Sequence, residues 1–408
     1  MTTTYRAKKV VTMDGPPIDD GAVVVAGERI TEVGPFRDIV RRENRVDLGE
    51  VALLPGLINA HCHLDFTCLR GKIEPRRSFA DWIREINRFR GEMNEDDFLD
   101  SIAAGFEEAQ RWGTTTIANI ESSTALLDRM QLPPLRTWWF AELIDVRGTV
   151  PAEEMVAQSL AHFREKENWR GGFGLSPHAP YTASSDLIRR AAEAAERREL
   201  PLTIHLAESE EEMEMFHEGR GPLFDLLQSL GRPMNDCGAG KTPLGVVLER
   251  GVLDEKWIVV HLNELTENDF ARLAHGPRFH IAHCPRSGRY FCHREFALSR
   301  LRELGFNVCL GTDSLASNSS LSLFAEMQSL REANPSLAPE QVLAMATVNA
   351  ARALGQQERL GRIRAGFQAD LIAVPIGNGA GALFDEIIAW SEAVPWMLVA
   401  GSPRISYL

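Results

Sequence analysis

Short apolar runs rich in β-branched residues alternate with helix-period segments through the middle of this 408-residue chain. In the helix-period segments the apolar residues recur every three or four positions, as on one face of a helix. The predicted strands are 56–60, 115–119, 138–141, 172–175, 202–205, 257–261, 279–283 and 308–311, and the predicted helices include 186–199, 210–216, 298–304 and 339–354. About eight strands that alternate with helices predict a (β/α)₈ barrel.

The two ends of the chain have a different rhythm, with β-like runs separated by turn residues. Such runs lie at 9–13 and 22–25 near the start, and at 369–374 and 396–400 near the end. We expect both ends to pair into one small β-sandwich domain made of residues 1–54 and 360–408. The expected fold is therefore α/β, a TIM-like barrel of residues 55–359 with this sandwich attached.

Composition narrows the class of protein. The chain is 44% hydrophobic and 25% charged, as ordinary globular proteins are, and its formal net charge of -13 argues against a general nucleic-acid binder. Six cysteines without a C-x-x-C pair argue against a disulfide scaffold. No secretory signal or membrane-length apolar run is visible. We expect a cytoplasmic protein that binds a small molecule and neither nucleic acid nor membrane.

Histidines and carboxylates fall where the predicted strands end. His61 and His63 are two apart on a strand, so their side chains face the same side. Later strand ends carry His178, His205, His261, His283 and Asp313, whereas His162, His217, His275, His280 and His293 are expected to be structural or surface groups. Barrel active sites form at the carboxyl ends of strands, and imidazoles with a carboxylate are typical zinc ligands. A lone H-x-H more often packs without a metal, but the whole pattern predicts a metal site.

These segments together resemble the amidohydrolase superfamily. The motifs that carry the likeness are His61-Cys62-His63, Ile204-His205-Leu206-Ala207-Glu208, Val260-His261 and Gly311-Thr312-Asp313-Ser314. The stretches 176–182 and 312–318 resemble its branch of deaminases and chlorohydrolases, and 284–287 with 321–327 resemble aminodeoxyfutalosine deaminases within that branch.

The resemblance implies a role for each matching residue. It implies that His61, His63, His205 and Asp313 hold the metal, that Glu208 shuttles protons, and that His261 holds the attacking water beside Asp313. One metal ion is expected, because binuclear relatives use a fourth-strand carboxylate or a carbamylated lysine and neither Lys72 nor Lys166 ends a predicted strand. Zn²⁺ is the default, and Fe²⁺ or Mn²⁺ also suits such ligands.

Four further residues are candidates for substrate binding. By the resemblance, His178 contacts the heterocycle and Trp82 stacks on it, although Trp82 could equally be a core aromatic on a helix face. Arg147 and Arg286 follow strand ends and could bind a substrate carboxylate bidentately, although most exposed arginines are only solvated.

The implied reaction is hydrolytic loss of the 6-amino group of an adenine nucleoside. Aminodeoxyfutalosine, from the futalosine route to menaquinone, is favoured over methylthioadenosine, S-adenosylhomocysteine and adenosine. Two alternatives stay open: a hydrolase of another N-heterocycle (a guanine, pterin or triazine deaminase, or a chlorohydrolase), and a catalytically inactive barrel. Relatives of this kind lead us to expect a homo-oligomer, a dimer or larger.

Overall fold

A closed parallel sheet with helices outside it forms the centre of the molecule. The computed structural model describes residues 2–40, 44–75, 78–163, 166, 168–377 and 382–407. Its strands are β1 (Thr2–Val10), β2 (Ile18–Ala26), β3 (Arg29–Pro35), β4 (Arg45–Asp47), β5 (Val51–Pro55), β6 (Leu57–His63), β7 (Thr114–Glu121), β8 (Arg136–Leu143), β9 (Gly171–Pro177), β10 (Leu202–Leu206), β11 (Trp257–His261), β12 (His280–His283), β13 (Asn307–Leu310), β14 (Asp313–Ser314), β15 (Leu371–Pro375), β16 (Trp396–Val399) and β17 (Ser402–Ser406). Its helices are α1 (Phe79–Glu92), α2 (Glu95–Arg111), α3 (Ala152–Ala161), α4 (Ser185–Arg198), α5 (Glu210–Glu218), α6 (Pro222–Ser229), α7 (Pro243–Glu249), α8 (Glu267–His275), α9 (Pro285–Tyr290), α10 (Leu298–Glu303), α11 (Leu323–Ala333), α12 (Pro339–Met345), α13 (Val348–Ala353) and α14 (Leu383–Ile388).

The barrel closes through the short strand β14. Neighbouring strands run in the order β13-β12-β11-β10-β9-β8-β7-β6-β14, and each pair is parallel. Because β14 follows β13 after two residues and pairs with β6, the last strand meets the first. At this seam Thr312 N donates to His61 O at 3.0 Å, and a Cβ at Gly311 would lie 2.8 Å from His61 Cβ. The eight-stranded barrel predicted from the sequence is confirmed.

One predicted helix is divided in the structure. The helix period over 339–354 is interrupted between α12 and α13, where Thr347 has φ -133° and ψ -93°. The carbonyl of Ala346 there accepts a hydrogen bond from Ile58 N at 2.8 Å, at the start of β6. In an unbroken helix that carbonyl would accept a hydrogen bond from a backbone N–H of the same helix. Its bond to the barrel strand therefore favours the break.

The two chain ends pair with each other, as predicted, and they do so in one mixed sheet. Within the described residues its order is β17-β16-β15-β5-β1-β2-β3, with β4 paired to β1. Successive residues of a strand face opposite sides. Leu53 and Leu371 lie in a separate apolar cluster inside this sheet, whereas Leu54 and Ile372 join the core beneath the barrel helices. Both faces are thus buried, which explains why β5 is apolar throughout.

Gly56 is the joint between this end sheet and the barrel. A Cβ at this position would lie 2.2 Å from the side chain of Thr115, so the chain passes too close to β7 for any other residue. The domain boundaries after residue 54 and before residue 360 stay a prediction. Among the described residues, no helix has both the length and the apolar character that a membrane crossing requires.

A buried ion pair also ties the two parts together. Arg136 of β8 and Asp370 are joined by two hydrogen bonds of 2.9 and 3.3 Å, and Ala400 N donates to the same carboxylate at 2.6 Å. Both side chains are less than a tenth exposed. The charges therefore have few water partners and depend on each other.

Asp370→Ala is expected to lower the free energy of unfolding by about 3–5 kcal/mol, because it leaves Arg136 buried without a counter-charge. Urea denaturation monitored by circular dichroism measures this loss. The control is Glu332→Ala, which breaks an ion pair with Arg289 whose side chains are 65% and 61% exposed. That variant should lose at most about 1 kcal/mol. Equal losses in the two variants would contradict the prediction.

Candidate active site

Six buried polar side chains converge at the carboxyl ends of the barrel strands. They are His61 and His63 from β6, His205 from β10, Glu208 from the following loop, His261 from β11 and Asp313 from β14. The ligand atoms of His61, His63 and His205 all lie within 4.8 Å of one another, and so do those of Glu208, His261 and Asp313. All six residues identified from the sequence therefore come together.

The backbone is bent into an unusual conformation where these strands end. His261 and Asp313 have φ of 73° and 57°, in the left-handed region that costs energy for residues other than glycine. Around Asp313, the side chain of Asn318 donates to the carbonyl of Thr312 at 2.8 Å. Left-handed residues of this kind persist only where the surroundings hold them and are concentrated at functional sites.

The imidazoles of this group leave ring nitrogens without hydrogen-bond partners. His205 Nδ1 lies 2.9 Å from the carbonyl of His178, so it carries the proton and the lone pair of Nε2 is free. That nitrogen lies 3.3 Å from His63 Nε2. Both ring nitrogens of His61, and Nδ1 of His63, are buried without a partner among the described residues. Buried imidazole nitrogens facing one another without donors are what a metal cation would satisfy.

Asp313 provides the negative charge next to these imidazoles. Its Oδ1 lies 3.6 Å from His61 Nε2 and 3.7 Å from His63 Nε2. Its Oδ2 accepts hydrogen bonds from Ser287 at 2.6 Å and from Ser317 at 3.1 Å. Burial alone would raise the pKa of Asp313, but the nearby imidazoles hold it well below its usual range. The group is therefore a fixed carboxylate.

The pKa of Glu208 is shifted in the opposite direction to that of Asp313. Burial, and then the charge of Asp313, raise the pKa of the Glu208 carboxyl well above its usual value. Its Oε1 lies 3.6 Å from Nε2 of His261, whose pKa burial lowers to about 3. The backbone N–H of Glu208 donates to Glu212 at 2.7 Å, which fixes the loop. A carboxyl that burial makes easier to protonate thus lies beside a neutral imidazole.

A cavity opens above these groups, with mainly apolar walls. The apolar side chains that line it include Phe66, Phe79, Trp82, Ile86, Tyr181 and Leu227. Trp82 packs against Phe79 with ring centres 5.9 Å apart, so it is both a packed aromatic and a wall of the cavity. His178 lines the cavity too, with Nδ1 2.6 Å from the hydroxyl of Thr182. Trp82 and His178 therefore both face the space where a substrate would lie.

The two arginines predicted to bind substrate lie elsewhere. Arg147 is exposed, and Arg286 is hydrogen-bonded to the hydroxyls of Ser319 and Ser320. Neither is among the described residues that line the cavity. His283 stacks on Phe296 with ring centres 3.9 Å apart and does not line it either. The substrate-binding roles of Arg147 and Arg286 stay predictions.

Sequence reasoning passed over four polar residues at this site. Glu142, at the end of β8, lies 4.0 Å from His178 Nε2, and Asn87 and Arg90 line the cavity from α1. His293 was expected to be structural or a surface group, yet its Nε2 lies 3.9 Å from Glu208 Oε1. A signal existed for Glu142, which follows a predicted strand, and for the α1 pair, which continues the spacing of Phe79 and Trp82. No signal placed His293.

The chain is similar in sequence to a known family and to named proteins. Residues 52–389 match the model of the amidohydrolase family. A protein of Syntrophobacter fumaroxidans named 5-methylthioadenosine/S-adenosylhomocysteine deaminase is 32% identical, over 88% of this chain and 81% of its own. The aminodeoxyfutalosine deaminase of Deinococcus radiodurans is 31% identical, over 82% and 81% of the two chains.

The fold has solved counterparts as well. The zinc-bound crystal structure of an adenosine deaminase from Xanthomonas campestris superposes with a TM-score of 0.85 at 24% identity, over 99% of this chain and 93% of the other. At 24% identity this similarity supports the fold alone. The family is supported by the match of residues 52–389. This chain belongs to the amidohydrolase family.

Proposed function

We propose that this protein is a metal-dependent hydrolase that removes the 6-amino group of an adenine nucleoside. The observation that carries the proposal is the cluster of unpaired imidazole nitrogens facing the Asp313 carboxylate, with the raised-pKa carboxyl of Glu208 beside them. The relatives named as deaminases of methylthioadenosine, S-adenosylhomocysteine and aminodeoxyfutalosine support the choice of substrate class.

His61, His63, His205 and Asp313 are proposed to hold one Zn²⁺, with Fe²⁺ or Mn²⁺ as alternatives. The donor set fits, because it offers buried imidazole nitrogens without hydrogen-bond partners and an ionised carboxylate. When bound, such an ion acts as a Lewis acid and lowers the pKa of water toward ~7.

Glu208 is proposed to move the protons of the reaction. It takes a proton from the attacking water and delivers it to the ring nitrogen next to C6, while the water oxygen bonds to C6. The hydroxyl now on C6 then gives its proton, through Glu208, to the amino group. The C6–N bond breaks, ammonia leaves, and a carbonyl remains at C6. His261, held neutral by burial, is proposed to accept a hydrogen bond from the water.

The side chains around the cavity are proposed to position the purine. The Thr182 hydroxyl donates to the carbonyl of Ala179, so His178 Nδ1 donates to that hydroxyl and His178 Nε2 is left as an acceptor. Trp82 offers an apolar plane against the heterocycle. The expectation of a cytoplasmic homo-oligomer, a dimer or larger, also stands as a proposal.

Ser287→Ala should weaken metal binding by about 10- to 100-fold, because it removes the shortest hydrogen bond to Asp313 and frees that carboxylate to rotate. Competition with a chromophoric zinc chelator measures the dissociation constant. The control is Ser336→Ala, at an exposed turn, which should leave it unchanged. An unchanged constant in Ser287→Ala would show that Ser317 and the backbone suffice to hold Asp313.

Ammonia release by zinc-loaded protein tests the proposed function. The panel is adenosine, methylthioadenosine, S-adenosylhomocysteine, aminodeoxyfutalosine and guanine, with chelator-treated protein as the matched blank. Turnover of an adenine nucleoside that needs the metal supports the proposal. Ammonia release from guanine alone would mean that the substrate is another heterocycle. No ammonia from any of the five compounds, with metal bound, would overturn the proposal.

A further inference from the structure

One face of α1 runs along the cavity and changes its chemical character on the way. Its cavity-lining residues are Phe79, Trp82, Ile83, Ile86, Asn87 and Arg90. Their spacing of three and four puts them on one side of the helix. The first four are apolar and the last two are polar. The wall that α1 gives the cavity is therefore apolar near the helix N-terminus and cationic near its C-terminus.

Arg90 brings a cation to this wall, and no counter-ion for it lies among the described residues. Its guanidinium carbon lies 5.5 Å from the ring centre of Phe66, and the guanidinium makes no hydrogen bond or ion pair with any described residue. An arginine kept in a half-buried place for packing alone would be expected to have a carboxylate partner, because desolvated charge is costly. The five N–H groups of Arg90 are instead available to something that enters the cavity.

The carboxyl groups nearby do not take this role. The charge of Arg90 favours the ionised forms of three carboxyl groups, those of Asp65, Glu121 and Glu142. None of the three makes an ion pair with it. Asp65 accepts a hydrogen bond from a serine hydroxyl at 2.6 Å, and Glu121 accepts one from a backbone N–H at 3.1 Å. Glu142 lies 4.0 Å from Nε2 of His178 instead.

The position of Arg90 relative to the candidate metal ligands indicates which part of a substrate it meets. Phe66 contacts both sides: its ring stacks on His63 with centres 5.9 Å apart, and the guanidinium of Arg90 lies over it. The ring of Phe66 thus lies between the guanidinium of Arg90 and the candidate metal ligand His63. The sugar of a nucleoside is long enough to span this separation. With the adenine amino group at the centre, the substituent on the sugar would reach the cationic end of α1.

We propose that Arg90, assisted by Asn87, binds an anionic group of the carboxylate class on the sugar-side substituent of the substrate. The inference rests on the proposed function and makes it narrower: nucleosides with a carboxylate-bearing substituent are preferred over those with a neutral one. The planar guanidinium matches a carboxylate with two parallel hydrogen bonds, which a lysine cannot reproduce.

The test compares an acid with its neutral isostere. We would measure kcat/KM for aminodeoxyfutalosine, whose substituent carries a benzoate, and for its benzamide, in the wild type, Arg90→Gln and Arg90→Lys. Arg90→Gln should lower kcat/KM for the acid by about 10- to 100-fold, mainly through KM, and for the amide by less than about threefold. Arg90→Lys should fall in between. Arg88→Gln is the matched control, an exposed arginine of the same helix that pairs with Glu85 and Glu92.

Equal losses for acid and amide in Arg90→Gln would overturn the inference and leave the proposed function intact, and so would no loss for either. Circular dichroism and zinc content of the variant show whether it is folded. A wild type that is silent on both compounds and on the neutral nucleosides would instead overturn the proposed function, and the inference with it.

Discussion

Glu208→Gln is expected to lower kcat for nucleoside deamination by roughly 10³-fold while the protein keeps its metal. The amide has the size of the carboxyl but cannot accept a proton from water or give one to the ring nitrogen. Since Glu208 lies 3.6 Å from His261 and outside the proposed ligand set, zinc content should stay near that of the wild type. Steady-state ammonia release and metal analysis of the same preparation measure both quantities.

Glu210→Gln is the control for this variant. It makes the same chemical change two residues away, where the side chain is 82% exposed. Its kcat should equal that of the wild type. If Glu208→Gln kept more than about a tenth of the wild-type kcat, another group would be moving the protons. The neighbouring imidazole of His293 would then be the first to replace.

Asp313→Asn is expected to lose both the metal and the activity, with kcat/KM lower by at least about 10³-fold. The amide keeps the shape of the carboxylate but removes the negative charge that faces His61 and His63, at 3.6 and 3.7 Å. A divalent cation would then be held by neutral ligands alone. Zinc per chain after dialysis, measured beside ammonia release, gives the two effects in one experiment.

Asp385→Asn, on the partly exposed start of α14, is the matched control and should change neither quantity. Adding zinc in excess separates two outcomes for Asp313→Asn. Partial rescue would mean that the carboxylate acts mainly by holding the ion. Full metal occupancy with wild-type turnover would remove Asp313 from the proposed site.

Much of the site could be predicted because barrel geometry converts strand positions into spatial neighbours. His61, His205 and Asp313 are far apart in sequence, yet each was predicted at the carboxyl end of a parallel strand, and such ends meet at one face of a barrel. Local pattern identified the strands, and the motifs at their ends carried the family likeness. The position of each residue relative to its predicted strand was therefore enough to predict that these residues lie close together.

The positions of the arginine side chains could not be predicted from strand order. Arg147 and Arg286 also follow strand ends, yet one is exposed and the other is bonded to Ser319 and Ser320. Arg90 reaches the cavity from a helix, and only the packing of α1 over the barrel mouth decides that. A long side chain can turn toward a cavity, a neighbour or water from the same backbone position, so strand order does not locate its charge.

Thr347 and Asp313 illustrate the same limit for the backbone. Helix periodicity runs through 339–354, but the hydrogen bond from Ile58 to the Ala346 carbonyl accompanies a break that no local signal marks. The left-handed φ of Asp313 likewise depends on contacts with β6 across the closed barrel. The sequence by itself determined the eight-stranded barrel, the pairing of the two chain ends and the metal-competent residues, because hydrophobic periodicity and motif spacing are local properties. Only the tertiary structure decided which charges face the cavity and which residues are strained, because those depend on atoms that distant segments bring into contact.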